Sequence, residues 1–248
     1  MHLLFIEYKL EVETFMGVMI IFGYGPGISQ ATAERFGREG YSLALVGRSA
    51  DRLADGVAHL KALSLEATAY VSDASKPSEV RSTVEVIRNE LGSISAVLWT
   101  AFRSGGVTNV LSTIPEDIER AFDVGIRGLL TCVQEVLEDL KSNPGAAIFV
   151  ANGAFGEHTS QADQFSTFLG ADGVALENAA KSKLVGILAE RLREFHVYVG
   201  EVTIVGSVKG TATSTQTAIA PSEIAETFWS LAQARDTTRT RIVELGFE

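Results

Sequence analysis

Residues 18–29 read Val18-Met19-Ile20-Ile21-Phe22-Gly23-Tyr24-Gly25-Pro26-Gly27-Ile28-Ser29, and the fold follows from how that stretch ends. Five apolar residues run into three alternating glycines, and an amphipathic stretch, Ser29 to Gly40, begins at once. This is the layout a pyrophosphate site requires. Gly23 permits a tight turn, Gly25 and Gly27 let the backbone approach phosphate oxygens, and Ile28 and Ser29 open a helix whose first amides are free to donate. Three glycines in a loop are weak evidence alone, since a turn with no ligand can have the same composition. Their placement between a first strand and a first helix gives the motif its weight.

Outward from the turn, short apolar runs alternate with amphipathic stretches. YSLALV, ATAYV, SAVLWTA, AAIFVA, VYVGEVTI and RTRIVEL read as strands. ADRLADGVAHLKAL, PSEVRSTVEVIRNELG, one long helix from Pro115 to Lys141, another from about Ala171 to Phe195, and PSEIAETFWSLAQARD read as helices. Pro77, Pro115 and Pro221 stand near helix starts, where a missing amide hydrogen does no harm. Gly40, Gly92 and Gly145 precede strands, where the chain leaving a helix needs positive φ. The pattern predicts an α/β fold: a single doubly wound Rossmann-type parallel sheet over 17–248, with right-handed crossovers placing helices on both faces. Residues 1–16, MHLLFIEYKLEVETFM, alternate in polarity like a strand and form an N-terminal extension, read as an extra edge strand, a poorly ordered segment or an oligomer arm.

Hydrophobic residues make up 46% of the 248, enough for a buried core. With 31 Asp and Glu against 21 Lys and Arg, the net charge is −10. That balance disfavours nucleic acid and anionic membrane surfaces as partners, and no basic patch offsets it. No apolar run approaches the roughly 20 residues needed to cross a bilayer, and no basic-then-apolar leader is present. Cys132 is the only cysteine, so no internal disulfide can form, and no Cys/His cluster has metal-ligand spacing. A cytoplasmic protein without a metal is expected.

The second strand ends at Val46-Gly47-Arg48-Ser49, with Arg48 lying 21 residues after Gly27. An acidic side chain there would pair with the ribose hydroxyls of NAD; arginine suits a 2′-phosphate and favours NADP. A surface pairing of Arg48 with Asp51 or Asp55 is the bland alternative. Asp73 either accepts a hydrogen bond from the adenine amino group or caps the helix that begins near Pro77.

FGYGPGIS, ALVGRSADRLA, YVSDAS, AAKSKLVGILAERLRE and the tail PSEIAETFWSLAQARDTTRTRIVELGF together resemble the short-chain dehydrogenase/reductase family, over Val18 to Phe247. The resemblance implies a Rossmann fold, a nicotinamide cofactor, a small-molecule substrate, and a homodimer or homotetramer paired through the two long helices. It adds Thr100, in Trp99-Thr100-Ala101-Phe102, to the cofactor contacts. Departures are concentrated in the chemistry. The usual turn reads Thr-Gly-x-x-x-Gly-x-Gly, and here Phe22 replaces the threonine and Ser29 the last glycine, which implies a slight shift of the first helix. The family's Asn-Asn-Ala-Gly keeps only Ala101. Its active-site asparagine falls on Gly125, its serine on Gly153, and its Tyr-x-x-x-Lys on Glu177 and Lys181. The lysine is kept, and three of the four catalytic residues are lost.

Reducing a carbonyl makes an alkoxide that needs a proton. A carboxyl of ordinary pKa is protonated in only about one molecule in 500 at pH 7, and a nearby Lys181 lowers that fraction. Glu177 is therefore expected to be ionised, either in an i,i+4 ion pair with Lys181, which still holds the cofactor's ribose hydroxyls, or beside the nicotinamide, where a carboxylate would favour an imine substrate over a ketone. It could act as an acid only if burial raised its pKa. His158 and Asp163, in the loop after the fifth strand, are a second proton-transfer candidate or simply solvated side chains. Cys132 reads as a small buried side chain, and Gly206 to Ala220 as a substrate flap ordered by the cofactor. Two functions remain open: an atypical NADP(H)-dependent oxidoreductase acting on a small carbonyl or imine, or an NADP(H)-binding protein without turnover serving a regulatory or scaffold role.

Overall fold

The computed structural model describes residues 17–103, 106–211 and 213–246; the N-terminal extension lies outside the described residues. In chain order the elements are β1 (Val18–Phe22), α1 (Ile28–Gly37), β2 (Ser42–Gly47), α2 (Ala50–Ala62), β3 (Ala67–Val71), α3 (Pro77–Leu91) and β4 (Ile94–Trp99). A 3-10 turn (Pro115–Phe122) and a π-helical segment (Asp123–Gly128) lead into α4 (Leu129–Glu135) and α5 (Leu137–Ser142). Then come β5 (Ala147–Gly153), α6 (Ser160–Phe168), α7 (Asp172–Leu192), β6 (Tyr198–Val205), α8 (Pro221–Ala234) and β7 (Arg239–Val243). Gly40, Gly92 and Gly145 all adopt positive φ, at 93°, 99° and 85°.

The seven strands form one sheet in the order β3-β2-β1-β4-β5-β6-β7, every neighbouring pair parallel. This is the predicted doubly wound fold. β1 is buried on both faces, as a central parallel strand must be. Val18, Ile20 and Phe22 join a core with Val84, Leu129, Val185 and Leu188. Met19 and Ile21 join a second core with Phe36, Leu53 and Phe228. The strand order reverses between β1 and β4, and in such sheets a ligand binds in the crevice beyond the carboxyl ends at that point. Gly23 and Thr100 stand there. No helix among the described residues is long and apolar enough to cross a membrane.

Two expectations fail locally. The helix expected over Pro115 to Lys141 is not continuous: it tightens to 3-10, widens to π and resumes as two α segments. The widening falls at Gly125 and Gly128, where a Cβ would collide with Glu177 Oε1 and Ala74 O respectively. Backbone is packed there at distances a regular side-chain-bearing helix could not tolerate, and π segments often mark such places. The loop containing His158 and Asp163 in turn includes a helix, α6, whose N-cap Thr159 accepts from the Ala162 amide at 3.1 Å. Thr159 with Asp163 in the first turn was a capping signal open to reading.

Candidate active site

The glycine turn is held from inside and open outside. Gly23 has φ 87°, and a Cβ there would collide with the Ala101 backbone, so the close approach of β1 to β4 requires glycine. Gly25 and Gly27 face open space, with nothing near an added Cβ. α1 starts at Ile28 with no side-chain cap, leaving its first amides for an outside acceptor. Ser29, standing where the usual turn has its last glycine, is built into the turn. It is buried, its hydroxyl donates toward Gly25 O at 2.9 Å, and it accepts from Gly25 N at 2.9 Å. The serine ties the turn to the helix it opens. Thr100 has a matching role across the crevice, its hydroxyl donating to Phe22 O at 3.0 Å and Gly23 O at 3.2 Å.

Arg48 is exposed beyond the end of β2 and, among the described residues, joins no ion pair with Asp51 or Asp55. Its charge acts on Asp73. Asp73 is not the cap of α3, whose N-cap is Lys76. Its Oδ1 accepts from Ser75 N at 3.0 Å and Ser75 Oγ at 2.8 Å. Partial burial pulls its pKa up, but these hydrogen bonds, with Lys76 and Arg48, outweigh that and hold it below the usual carboxylate value.

At the other end of the crevice, α7 faces the sheet with the stripe Gly173, Glu177, Lys181, Val185, Leu188 and Leu192. The spacing by four and then three residues is that of one helix face, so the two charged residues occupy core positions. Glu177 is 1% exposed and Lys181 2%. The i,i+4 ion pair expected from their spacing is not formed: they influence one another electrostatically but are not in ion-pair contact. Desolvation pushes the Glu177 carboxyl above its ordinary pKa, against the pull of Lys181 and of the Arg103 and Gly125 amides. Desolvation likewise depresses Lys181, against Glu177 and Glu201. The expectation of an ordinary, ionised Glu177 is thus corrected: burial moves both groups toward their neutral forms. Glu177 Oε1 has no hydrogen-bond partner among the described residues.

Gly125 and Gly153 make room for α7. Gly125 accommodates Glu177 Oε1, and an added Cβ on Gly153 would lie 2.6 Å from Asn178 Nδ2. Glu177 and Asn178 therefore occupy the space a side chain at Gly125 or Gly153 would need, a relation between distant segments with no signal in the chain's local pattern. Arg103 connects Glu177 to a cavity of about 500 Å³, lined also by Val107, Thr108, Thr113, Ile114 and Arg120. His158 and Asp163 are not brought to Glu177; both are exposed, and His158 lines a separate cleft. Cys132 is fully buried and burial raises its thiol pKa, consistent with a packing role. The flap's anchor was missed by sequence reasoning. Buried Glu244, just past β7, accepts from the Ser207 amide and from the hydroxyls of Ser207, Thr215 and Thr217, which lower its pKa to about 2.

The family model for short chain dehydrogenases matches residues 17–166. The chain belongs to that family. Among curated short-chain dehydrogenase relatives, an uncharacterised oxidoreductase of Listeria innocua is 29% identical over 154 residues, 54% of this chain and 60% of that protein. The 17-beta-hydroxysteroid dehydrogenase 13 of Rattus norvegicus is 28% identical, over 54% of this chain and 45% of that protein. The matched stretch thus spans about half the length of these relatives. Among solved structures, a short-chain oxidoreductase of Pseudomonas aeruginosa, described as NADPH-bound and as containing an atypical catalytic center, superposes with TM-score 0.79 at 20% identity, covering 94% of this chain and 96% of that one. A metagenomic short-chain oxidoreductase in complex with NADP gives TM-score 0.78 at 18% identity, covering 94% and 99%. These likenesses establish the shared fold.

Proposed function

We propose that this chain is an NADP(H)-dependent oxidoreductase acting on a small carbonyl compound, with Glu177 as its proton donor in place of the family's tyrosine. The open ground over Gly25 and Gly27, the uncapped start of α1 and the exposed, unpaired Arg48 fit a dinucleotide with a 2′-phosphate. Gly23, Gly25, Gly27, Ile28 and Ser29 would hold the pyrophosphate, Arg48 the 2′-phosphate, Asp73 and Thr100 would flank the adenosine and nicotinamide sides, and Lys181 would lie toward the nicotinamide ribose. A bound nicotinamide supplies or accepts hydride.

The observation that carries the reading is the burial of Glu177. A carboxyl held neutral can donate a proton to an alkoxide, and a raised pKa brings its proton affinity closer to that of the oxygen it serves. This favours a carbonyl over the imine that a permanent carboxylate would prefer. Arg103 sets a positive charge between Glu177 and the neighbouring cavity, where a developing oxyanion would be stabilised. The apolar Leu130, Phe168, Leu169 and Leu176, exposed on α4, α6 and α7 or at their ends, support a homodimer or larger homo-oligomer, which sedimentation would test.

Titration of nucleotide-free protein with NADPH and NADH, followed by a screen of small ketones, aldehydes and imines for NADPH consumption, tests the reading. Carbonyl reduction that falls as pH rises and is lost in Glu177→Gln is expected. NADPH binding with no turnover of any substrate would favour the non-catalytic nucleotide-binding alternative.

A further inference from the structure

The cavity of about 500 Å³ beside Glu177 is tied to the helix that carries this carboxyl. Gly173, one turn before Glu177 on the buried face of α7, donates from its amide to Val107 O at 2.8 Å, and a Cβ on Gly173 would press against the Val107 side chain. Asp172 Oδ2 accepts from the Val110 amide at 2.9 Å, a second tie between that loop and α7. Val107 lines one wall of the cavity. Ala121, one turn before the Gly125 that packs on Glu177 Oε1, lines another. Both walls are thus anchored to the surroundings of Glu177.

Two arginines line the cavity, in different states. Arg120 is paired at 3.4 Å with Asp117, which lines it too. Among the described residues Arg103 has no counterpart of this kind: its Nε is buried and without a hydrogen-bond partner. Leaving a buried donor of a cation unpaired costs stability, so packing alone does not account for Arg103. The neutral Glu177 proposed above does not cancel its charge. The cavity therefore presents one uncompensated positive charge, on a planar fork that matches a carboxylate. A single charge suits a carboxylate better than a phosphate dianion. Val107, Ile114 and Ala121 supply apolar wall for a short hydrocarbon chain. The Arg103 amide donates to the Glu177 carboxyl while the Arg103 side chain lines the cavity. An anion on the guanidinium and an oxygen at Glu177 are then separated by little more than the length of one arginine side chain.

We propose that the substrate is a short oxo acid, a ketone or aldehyde with a carboxylate within a few bonds of its carbonyl, and that Arg103 is the residue that selects it. The inference rests on the oxidoreductase reading and names the substrate class of that site. Hydride addition forms the new C–H bond, the carbonyl π pair moves to oxygen, and the Glu177 O–H supplies the proton. NADPH is oxidised to NADP as the oxo acid becomes a hydroxy acid. Arg103 holds the carboxylate throughout and exchanges no proton.

Binding tests this without turnover. Oxamate has the shape and charge of a 2-oxo acid but resists reduction, and methyl oxamate is its neutral counterpart. NMR titration of the protein, with and without NADP, should show oxamate binding about 10- to 100-fold more tightly than the ester, the usual effect of a charge-assisted pair. Arg103→Gln should erase that preference and leave ester binding unaltered. Arg103→Lys, which keeps the charge and loses the fork, should retain part of it and serves if the glutamine variant folds poorly. Equal binding of the two probes, no binding of oxamate, or an undiminished preference in folded Arg103→Gln overturns the proposal. Kinetics add a second arm. Arg103→Gln should raise KM for an oxo acid by about tenfold or more while sparing KM for a neutral ketone of the same length. A fall in kcat alike for both, with KM unmoved, would confine Arg103 to the developing oxyanion and also overturn it. Reduction of neutral ketones as efficiently as oxo acids would sink the oxo-acid class and leave the oxidoreductase reading standing. Selective oxamate binding with no NADPH consumed by any carbonyl would sink the oxidoreductase reading and leave Arg103 as an oxo-acid-binding residue.

Discussion

The glycine turn and the underside of α7 lie along the same crevice, yet they treat polar groups in opposite ways. At the turn, the hydroxyls of Ser29 and Thr100 and the carboxylate of Asp73 are all engaged in local hydrogen bonds, and the outward face is left open. Beneath α7, Glu177 and Lys181 are both buried, away from any ion-pair contact with each other. A satisfied, preformed turn can bind a ligand with little reorganisation. Buried, under-satisfied ionisable groups are costly to the fold and have shifted proton affinities, the condition expected of groups that move protons. Under the proposed function, the contrast separates a binding half from a chemical half.

The largest expected effect breaks the chemical half. Glu177→Gln should cut carbonyl reduction by about 10² to 10⁴-fold, the usual contribution of a positioned acid, with NADPH affinity nearly unchanged in fluorescence titration. The same substitution has a stability signature with a definite sign. Burial raises the folded-state pKa of Glu177, so its stabilising contribution is complete below the ordinary value of 4.5 and is lost as pH rises through the folded value. Glu177→Gln should therefore melt above the unaltered protein at alkaline pH, with the difference narrowing toward acid. Equal melting curves at all pH values would remove the raised pKa from the argument.

Next comes the binding half. Arg48→Ala should weaken NADPH by about 10- to 100-fold, a charge-assisted hydrogen bond's worth, and leave NADH affinity unaltered; equal loss of both would refute the 2′-phosphate assignment. Restoring the family's side chain with Gly125→Asn, far from repairing the site, should destabilise the fold by about 1–3 kcal/mol through overpacking against Glu177. The double substitution with Glu177→Ala should recover part of that in denaturant titration. Smallest is the flap. Glu244→Gln should loosen Ser207 and Thr215, seen as faster amide hydrogen exchange. In the unaltered protein the same loosening should appear only as pH falls from 4.5 toward the depressed value of about 2, because a lowered carboxylate pKa stabilises above its ordinary value and is lost below.

Much of this was legible in the sequence, for reasons that lie in particular segments. Val18 to Ser29 carries strand, turn and helix in twelve consecutive residues, so its geometry is local and the motif could be read directly. Arg48 and Lys181 were placed by their distance from recognisable elements. The pKa of Glu177 was not readable, although the stripe 173, 177, 181, 185, 188 and 192 did mark α7's buried face. Weighing that stripe above the i,i+4 charge pattern would have shown both residues to be buried. The break in the helix expected over Pro115 to Lys141 was hidden, because its cause is the carboxyl of a residue about fifty positions away. Glu244 and Glu201 gave no motif at all.

The chain's order of strands and helices and its glycine turn were determined by sequence alone, since each depends on residue type and spacing along the chain. Whether Glu177 is charged, what fills the space at Gly125 and Gly153, and what holds the flap were decided only by tertiary structure. Proton affinity depends on the water excluded and the charges brought near, and those are set by segments that meet only when the sheet is assembled.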